Sequence, residues 1–137
     1  MTDRIRVLHV DDDPALLDVV ASLIEHKCDD LSVTSVERPQ SALTLLESGP
    51  FDCLVSDYRM PTMNGLQLRD AVCESHPTLP FLLFTNVPHI ELDRPIPRQH
   101  YLEKSGPDQF EALAARVVRL VEERVLDCNG HSTSTGP

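Results

Sequence analysis

Leu79-Pro80-Phe81-Leu82-Leu83-Phe84 is apolar at every position. Strand side chains alternate between faces, so an unbroken apolar run describes a strand buried on both sides. Such a strand needs a covering layer above and below its sheet, and the rest of the pattern supplies helices for both. Arg4-Ile5-Arg6-Val7-Leu8-His9-Val10 begins with alternation, turns apolar and stops at Asp11-Asp12-Asp13, a strand ending at a polar edge. Asp13-Pro14 opens a helix, with Asp13 placed to cap free N–H groups and Pro14 suited to the first turn. Leu16, Leu17, Val20, Leu23 and Ile24 recur at helical spacing to about Lys27.

Leu31–Val36 reads as a second strand and Pro39–Ser48 as a second helix, stopped by Gly49-Pro50. Phe51–Ser56 is a third strand that delivers Asp57 at its end, and Leu66–Ser75 is a helix after the turn Met60–Gly65. After the apolar strand Leu79–Phe84, a weaker fifth strand is expected over Gln99–Glu103. A long amphipathic helix is expected over Pro107–Asp127, with Phe110, Leu113, Val117, Leu120 and Val121 on one side. Residues 128–137 show no periodicity and are expected to be a disordered tail, leaving one domain over residues 1–127.

Strands alternating with helices through short connections specify an α/β fold with a doubly wound, five-stranded parallel sheet. Sites in such sheets form at the carboxyl ends of the strands. That rule brings Asp11-Asp12-Asp13, Asp57 and Thr85 to one crevice, given a flavodoxin-like order 2-1-3-4-5 that makes the first and third strands neighbours.

Charge narrows the function. Twelve Lys and Arg against 22 Asp and Glu give a net charge of −10, which disfavours direct binding to nucleic acid. No apolar run approaches a membrane span, and the first residues lack the build of a signal peptide. Cys28, Cys53, Cys73 and Cys128 form no C-x-x-C pair and read as incidental thiols of a reducing, cytoplasmic compartment. The only lysines are Lys27 and Lys104, and this Asp-rich, Lys-poor balance resembles that of proteins from concentrated salt, or equally of an Arg-favouring genome.

Carboxylates converging in a crevice repel, by about 4 kcal/mol for a pair ~4 Å apart at an effective dielectric of 20. A shared proton or a bound cation relieves this, and an all-oxygen donor set favours Mg²⁺, or Mn²⁺, over zinc. The six histidines have no metal-ligand spacing, Cys53 sits within a strand, and no glycine-rich phosphate loop is present.

His9-Val10-Asp11-Asp12-Asp13, Val55-Ser56-Asp57-Tyr58-Arg59-Met60-Pro61-Thr62-Met63-Asn64-Gly65, Phe84-Thr85 and Tyr101-Leu102-Glu103-Lys104 together resemble the receiver domain of response regulators. The resemblance runs from Arg4 to Asp127. It implies a switch of two-component signalling rather than a conventional enzyme, taking a phosphoryl group from a histidine kinase or phosphotransfer domain. Position by position, it implies Asp57 as phosphoacceptor, with Asp12 and Asp57 binding Mg²⁺ directly and Asp11 through water. The Arg59 backbone carbonyl would complete the protein ligands. Thr85 corresponds to the switch hydroxyl, Lys104 to the phosphate-pairing lysine and Tyr101 to the aromatic whose rotamer reports phosphorylation. Read without the resemblance, Lys104 could be a solubilising charge, Thr85 a strand former and Tyr101 a packing residue.

Three features depart from the family. Ser105 follows Lys104 where proline behind a cis bond is usual, which puts the reach of the lysine in question. Asn86 is larger than the residue common beside the threonine, and Arg59 could shield the phosphoryl group from water. Pro88, Pro95 and Pro97 occupy the place of the family's fourth helix, so one turn at most, or a loop, is expected there. Alternatives to the phosphoacceptor are a binding module that has lost phosphorylation and a Mg²⁺-dependent aspartyl phosphatase or phosphotransferase. The chain has no room for the cap domain such phosphatases need. Further domains of the same polypeptide remain compatible with the chain.

Overall fold

The computed structural model describes residues 4–124. Its strands are β1 (Ile5–Val10), β2 (Leu31–Val36), β3 (Cys53–Ser56), β4 (Phe81–Thr85) and β5 (Tyr101–Glu103). The helices between and after them are α1 (Pro14–Lys27), α2 (Pro39–Ser48), α3 (Gly65–Ser75) and α4 (Gln109–Glu123). All strands are parallel, in the order β2-β1-β3-β4-β5 expected above.

Register places the functional residues. Val10 lies opposite both Val36 and Ser56, and Thr85 opposite Glu103. Asp11, Asp57 and Lys104 are therefore the first residues beyond their strands. Each is still tied down by one further ladder bond: Asp11 N–H to Val36 O at 3.2 Å, Asp57 N–H to Val10 O at 3.0 Å and Lys104 N–H to Thr85 O at 2.9 Å. The backbone of all three is thus as fixed as the sheet itself.

The sheet is covered on both faces, as the β4 pattern requires. Val20 and Ile24 of α1 and Leu113, Val117 and Leu120 of α4 pack against Val7, Val55, Leu82 and Phe84. On the other face Ala42 and Leu46 of α2 and Leu66, Leu68 and Val72 of α3 cover Leu8, Val10, Leu54 and Leu83. No fourth crossover helix lies between β4 and β5. A proline-rich strap, residues 87–97, takes its place and buries Val87, Leu92 and Ile96 in the same apolar layer. Each such burial contributes about 1.5–3 kcal/mol, so the strap is packed although it is not helical. Its regular structure is a single 3-10 turn at His89–Glu91.

Helix starts follow their caps. Asp13 Oδ1 accepts from Ala15 N–H at 3.1 Å and Leu16 N–H at 3.3 Å, while Pro14 takes the first turn. Asn64 and Gln67 form a reciprocal capping box on α3, each bond 2.8 Å.

Several boundaries differ from expectation. β3 begins at Cys53 rather than Phe51, and β4 at Phe81 rather than Leu79. Leu79 N–H closes a turn onto His76 O, and Pro80 contributes only its carbonyl, which accepts from Leu54 N–H. β5 keeps three residues because Arg98–His100 form a 3-10 turn closed by His100 N–H on Pro97 O. α4 starts at Gln109, two residues after Pro107, and ends at Glu123. The expected tail, residues 128–137, lies outside the described residues. Cys28 and Cys53 are free thiols, but Cys73 is disulfide-bonded, so the reading of incidental reduced thiols fails there.

Candidate functional site

Asp11, Asp12 and Asp57 meet at the carboxyl edge of β1 and β3, with one oxygen of each within 4.8 Å of the others. Asp11 is buried, Asp57 half-buried and Asp12 exposed, so the cluster opens to solvent on the Asp12 side. Lys104 reaches in from the end of β5: its Nζ donates to Asp11 Oδ2 at 2.6 Å and to Asp57 Oδ2 at 3.1 Å. Its ammonium also lies 5.8 Å from the centre of the Phe84 ring.

Lys104 reaches the site with Ser105, not proline, behind it. All peptide bonds among the described residues are trans, and the lysine still reaches both carboxylates.

Burial pushes the Asp11 carboxyl above its ordinary range, opposed by the Lys104 ammonium and by Asp13 N–H, which donates to Asp11 Oδ1 at 3.0 Å. The other Asp57 oxygen, Oδ1, accepts from Tyr58 N–H at 2.6 Å. Its backbone carbonyl accepts from Ser56 Oγ at 2.8 Å. Gly65 packs on this carbonyl. A Cβ there would fall inside contact distance of Asp57 O and 2.7 Å from Leu83 Cδ1, so the position admits only glycine without displacement. The Asn64-Gly65 pair thus caps a helix and lets it press against the acidic loop.

The donor set suits a small hard cation. One oxygen of each carboxylate lies within 4.8 Å of the others, so Asp11, Asp12 and Asp57 could hold a small hard cation together. The chemistry agrees, being all oxygen with net negative charge against one lysine. The Arg59 side chain is exposed.

Thr85 and Tyr101 are both buried and converge on one residue, Val87. Thr85 Oγ1 accepts from Val87 N–H at 3.2 Å, and Tyr101 Oη donates to Val87 O at 2.6 Å. Tyr101 is thereby turned inward, with His89 edge-on to its ring at 5.0 Å. The structure brings Asp11, Asp12, Asp57 and Lys104 into one site and puts Thr85 and Tyr101 between that site and the strap.

Two residues near the site were not singled out from sequence. His9, one layer beneath Asp11 on β1, is 1% exposed, and neither ring nitrogen has a hydrogen-bond partner. Desolvation first, then the Lys104 charge, lower its pKa to about 4. Tyr58 is buried, and burial followed by the neighbouring Asp93 carboxylate holds its phenol above the ordinary value. A polar residue inside an apolar strand was the available signal for His9; nothing local marks Tyr58.

Comparison with known proteins agrees with this geometry. A family model described as the response regulator receiver domain matches residues 7–94. The chain is 33% identical over 113 residues to the DNA-binding transcriptional regulator NtrC of Salmonella typhimurium, covering 75% of this chain and 24% of that protein. It is 35% identical over 128 residues to the cyclic di-GMP phosphodiesterase response regulator RpfG of Xanthomonas campestris, covering 88% and 32%. The chain thus spans a third or less of the length of these relatives. Among solved structures it is similar to response regulator TrrA of Thermotoga maritima in complex with Mg²⁺ and BeF, with TM-score 0.71 and 24% identity over 84% of this chain and 97% of that one. A sensor protein from Polaromonas superposes with TM-score 0.76 at 20% identity, covering 88% and 98%. At those identities the likeness concerns the fold.

Proposed function

The chain belongs to the response-regulator receiver family, a family of two-component signalling switches, and from that premise we propose that Asp57 is its phosphoacceptor. The observation that carries this reading is the convergence of three carboxylates with one ammonium bridging two of them. Asp11, Asp12 and Asp57 would hold Mg²⁺, with the Arg59 carbonyl as a further ligand on the family pattern. When bound, the ion supplies charge neutralisation of the transferring phosphoryl group.

This chain's residues do the rest. An oxygen of Asp57 donates a lone pair to phosphorus as the P–N bond of a phosphohistidine breaks, and the bonding electrons leave on the imidazole nitrogen, which takes up a proton. Tyr58 N–H and the ladder bond to Val10 hold the Asp57 carboxylate and backbone still during the attack. The Lys104 ammonium, already at Asp57 Oδ2, lies where negative charge accumulates on the phosphoryl oxygens.

The donor on this reading is a histidine kinase or phosphotransfer domain, and further domains of one polypeptide carry the output, as the much longer relatives suggest. Among the described residues no helix is long and apolar enough to cross a membrane. Incubation with acetyl phosphate tests the reading by intact mass. One phosphoryl group is expected with Mg²⁺, and none with EDTA or in Asp57→Asn. An unmodified wild type would make the chain a binding module instead.

A further inference from the structure

Tyr58 touches the acidic site with its backbone and the strap with its side chain. Its N–H donates to Asp57 Oδ1 at 2.6 Å, and its carbonyl accepts from Gly65 N–H at 2.8 Å. Its ring is buried in the layer that also holds Leu92 and Ile96. At the far end of the ring, Tyr58 Oη accepts from Asp93 N–H at 3.1 Å. Asn64 adds to this grip. Its Oδ1 caps α3, leaving Nδ2 to donate to Asp93 Oδ2 at 3.2 Å.

The strap is therefore held at two separate places. At its start, Thr85 and Tyr101 hold the N–H and the carbonyl of Val87. At its middle, Asp93 is gripped by the residue next in sequence to Asp57. Between them His89 Nε2–H donates to Ile96 O at 2.8 Å, closing the strap on itself. A third tie, the Arg94 guanidinium on both oxygens of Asp70 at 2.6 and 3.1 Å, is exposed and contributes little.

We propose that Tyr58 is a latch, holding the strap against the β3–α3 loop while Asp57 is a free carboxylate and releasing it when Asp57 carries a phosphoryl group. This rests on the reading of Asp57 as phosphoacceptor. The physical cause is the Tyr58 N–H bond to Asp57 Oδ1, which is short because its acceptor is charged. Once one carboxylate oxygen bonds to phosphorus, the negative charge moves out to the phosphoryl oxygens. The remaining carbonyl is a weaker acceptor, and the Tyr58 peptide loses the partner that sets its orientation. A small rotation of that peptide swings a ring whose tip carries the Asp93 bond. This route does not pass through Thr85, so the mid-strap grip responds to the acid itself.

Linkage makes the proposal testable. If occupying Asp57 opens the latch, then breaking the latch must strengthen occupation of Asp57. The probe is beryllofluoride with Mg²⁺, and the variant is Tyr58→Phe, which keeps the ring and removes the hydroxyl. Wild type should show faster amide exchange at Asp93 with the probe than with Mg²⁺ alone. Tyr58→Phe should exchange fast at Asp93 in both states and bind the probe about three- to tenfold tighter, the size one hydrogen bond supports. A merely structural tyrosine would lower the melting temperature and leave that affinity unchanged. Arg94→Ala, which loses only the surface pair, should bind like wild type.

Equal affinity of wild type and Tyr58→Phe, or a gain in Arg94→Ala as large as in Tyr58→Phe, overturns the latch while leaving the phosphoacceptor intact. Failure of wild type to bind the probe at all overturns both.

Discussion

The Lys104 ammonium lies closer to Asp11, at 2.6 Å, than to Asp57, at 3.1 Å. Without a metal the lysine is the counter-charge of the carboxylate cluster, and it repels any cation that takes over that task. Lys104→Met should therefore bind Mg²⁺ about tenfold tighter, from the loss of one nearby positive charge. Phosphorylation by acetyl phosphate should fall about a hundredfold, because the charge on the phosphoryl oxygens loses its partner. Calorimetric titration and intact mass read the two effects. Movement of both in the same direction would contradict this role.

Asp12 is the exposed member of the cluster and has little packing to lose. In wild type, Mg²⁺ at a hundred times its Kd should add about 2.7 kcal/mol to unfolding free energy. Asp12→Ala should abolish most of that gain while folding normally in EDTA. A gain of the same size in the variant would remove Asp12 from the ligand set.

Gly65→Ala places a Cβ against the Asp57 carbonyl and Leu83. A loss of about 3 kcal/mol is expected by chemical denaturation, from overpacking against backbone that the sheet holds in place. Phosphorylation of the folded fraction should slow as well, since the displaced group is the backbone of Asp57. A variant as stable and as active as wild type would show that the loop yields freely.

His9 sets a pH dependence whose sign can be worked out. Its folded pKa of about 4 lies below the ordinary 6.5, so the unfolded chain takes up the proton first. The stabilisation is complete above pH 6.5 and is lost as pH falls from there toward 4. Between pH 7 and 5 the loss is about 2 kcal/mol. Asp11, pushed up by burial, acts with the opposite sign, so the readout is the difference between two proteins. His9→Leu in metal-free buffer should match or exceed wild-type stability at pH 7, because it removes two unpartnered buried nitrogens. It should also lose less stability on going to pH 5. An identical pH slope would contradict this.

Much of this was legible in the sequence, for local reasons. Asp13-Pro14 suits the start of a helix, and Pro95 and Pro97 would fall inside any helix running from Pro88 through residue 97, so no more than a turn fits there. The doubly wound parallel sheet followed from alternation, and the meeting of Asp11, Asp12 and Asp57 from where strands end once the order implied by the family resemblance is assumed. The strap's packing was not legible. Leu92 and Ile96 are four apart, but Val87 is out of their period and Pro95 lies between them, and the bond from Asp93 to Tyr58 joins residues far apart in sequence. The reach of Lys104 depends on the Thr85–Lys104 ladder bond, so it could not be judged from Ser105 alone.

Trapping the acyl phosphate decides whether Asp57 accepts the phosphoryl group. After reaction with acetyl phosphate and Mg²⁺, borohydride reduces an aspartyl phosphate to the alcohol and expels phosphate, leaving homoserine in place of the aspartate. Peptide mass mapping then locates it. Homoserine is expected at position 57, with Asp11, Asp12 and Asp13 unchanged. Homoserine at one of those three, or nowhere in a protein incubated with donor and metal, would contradict it.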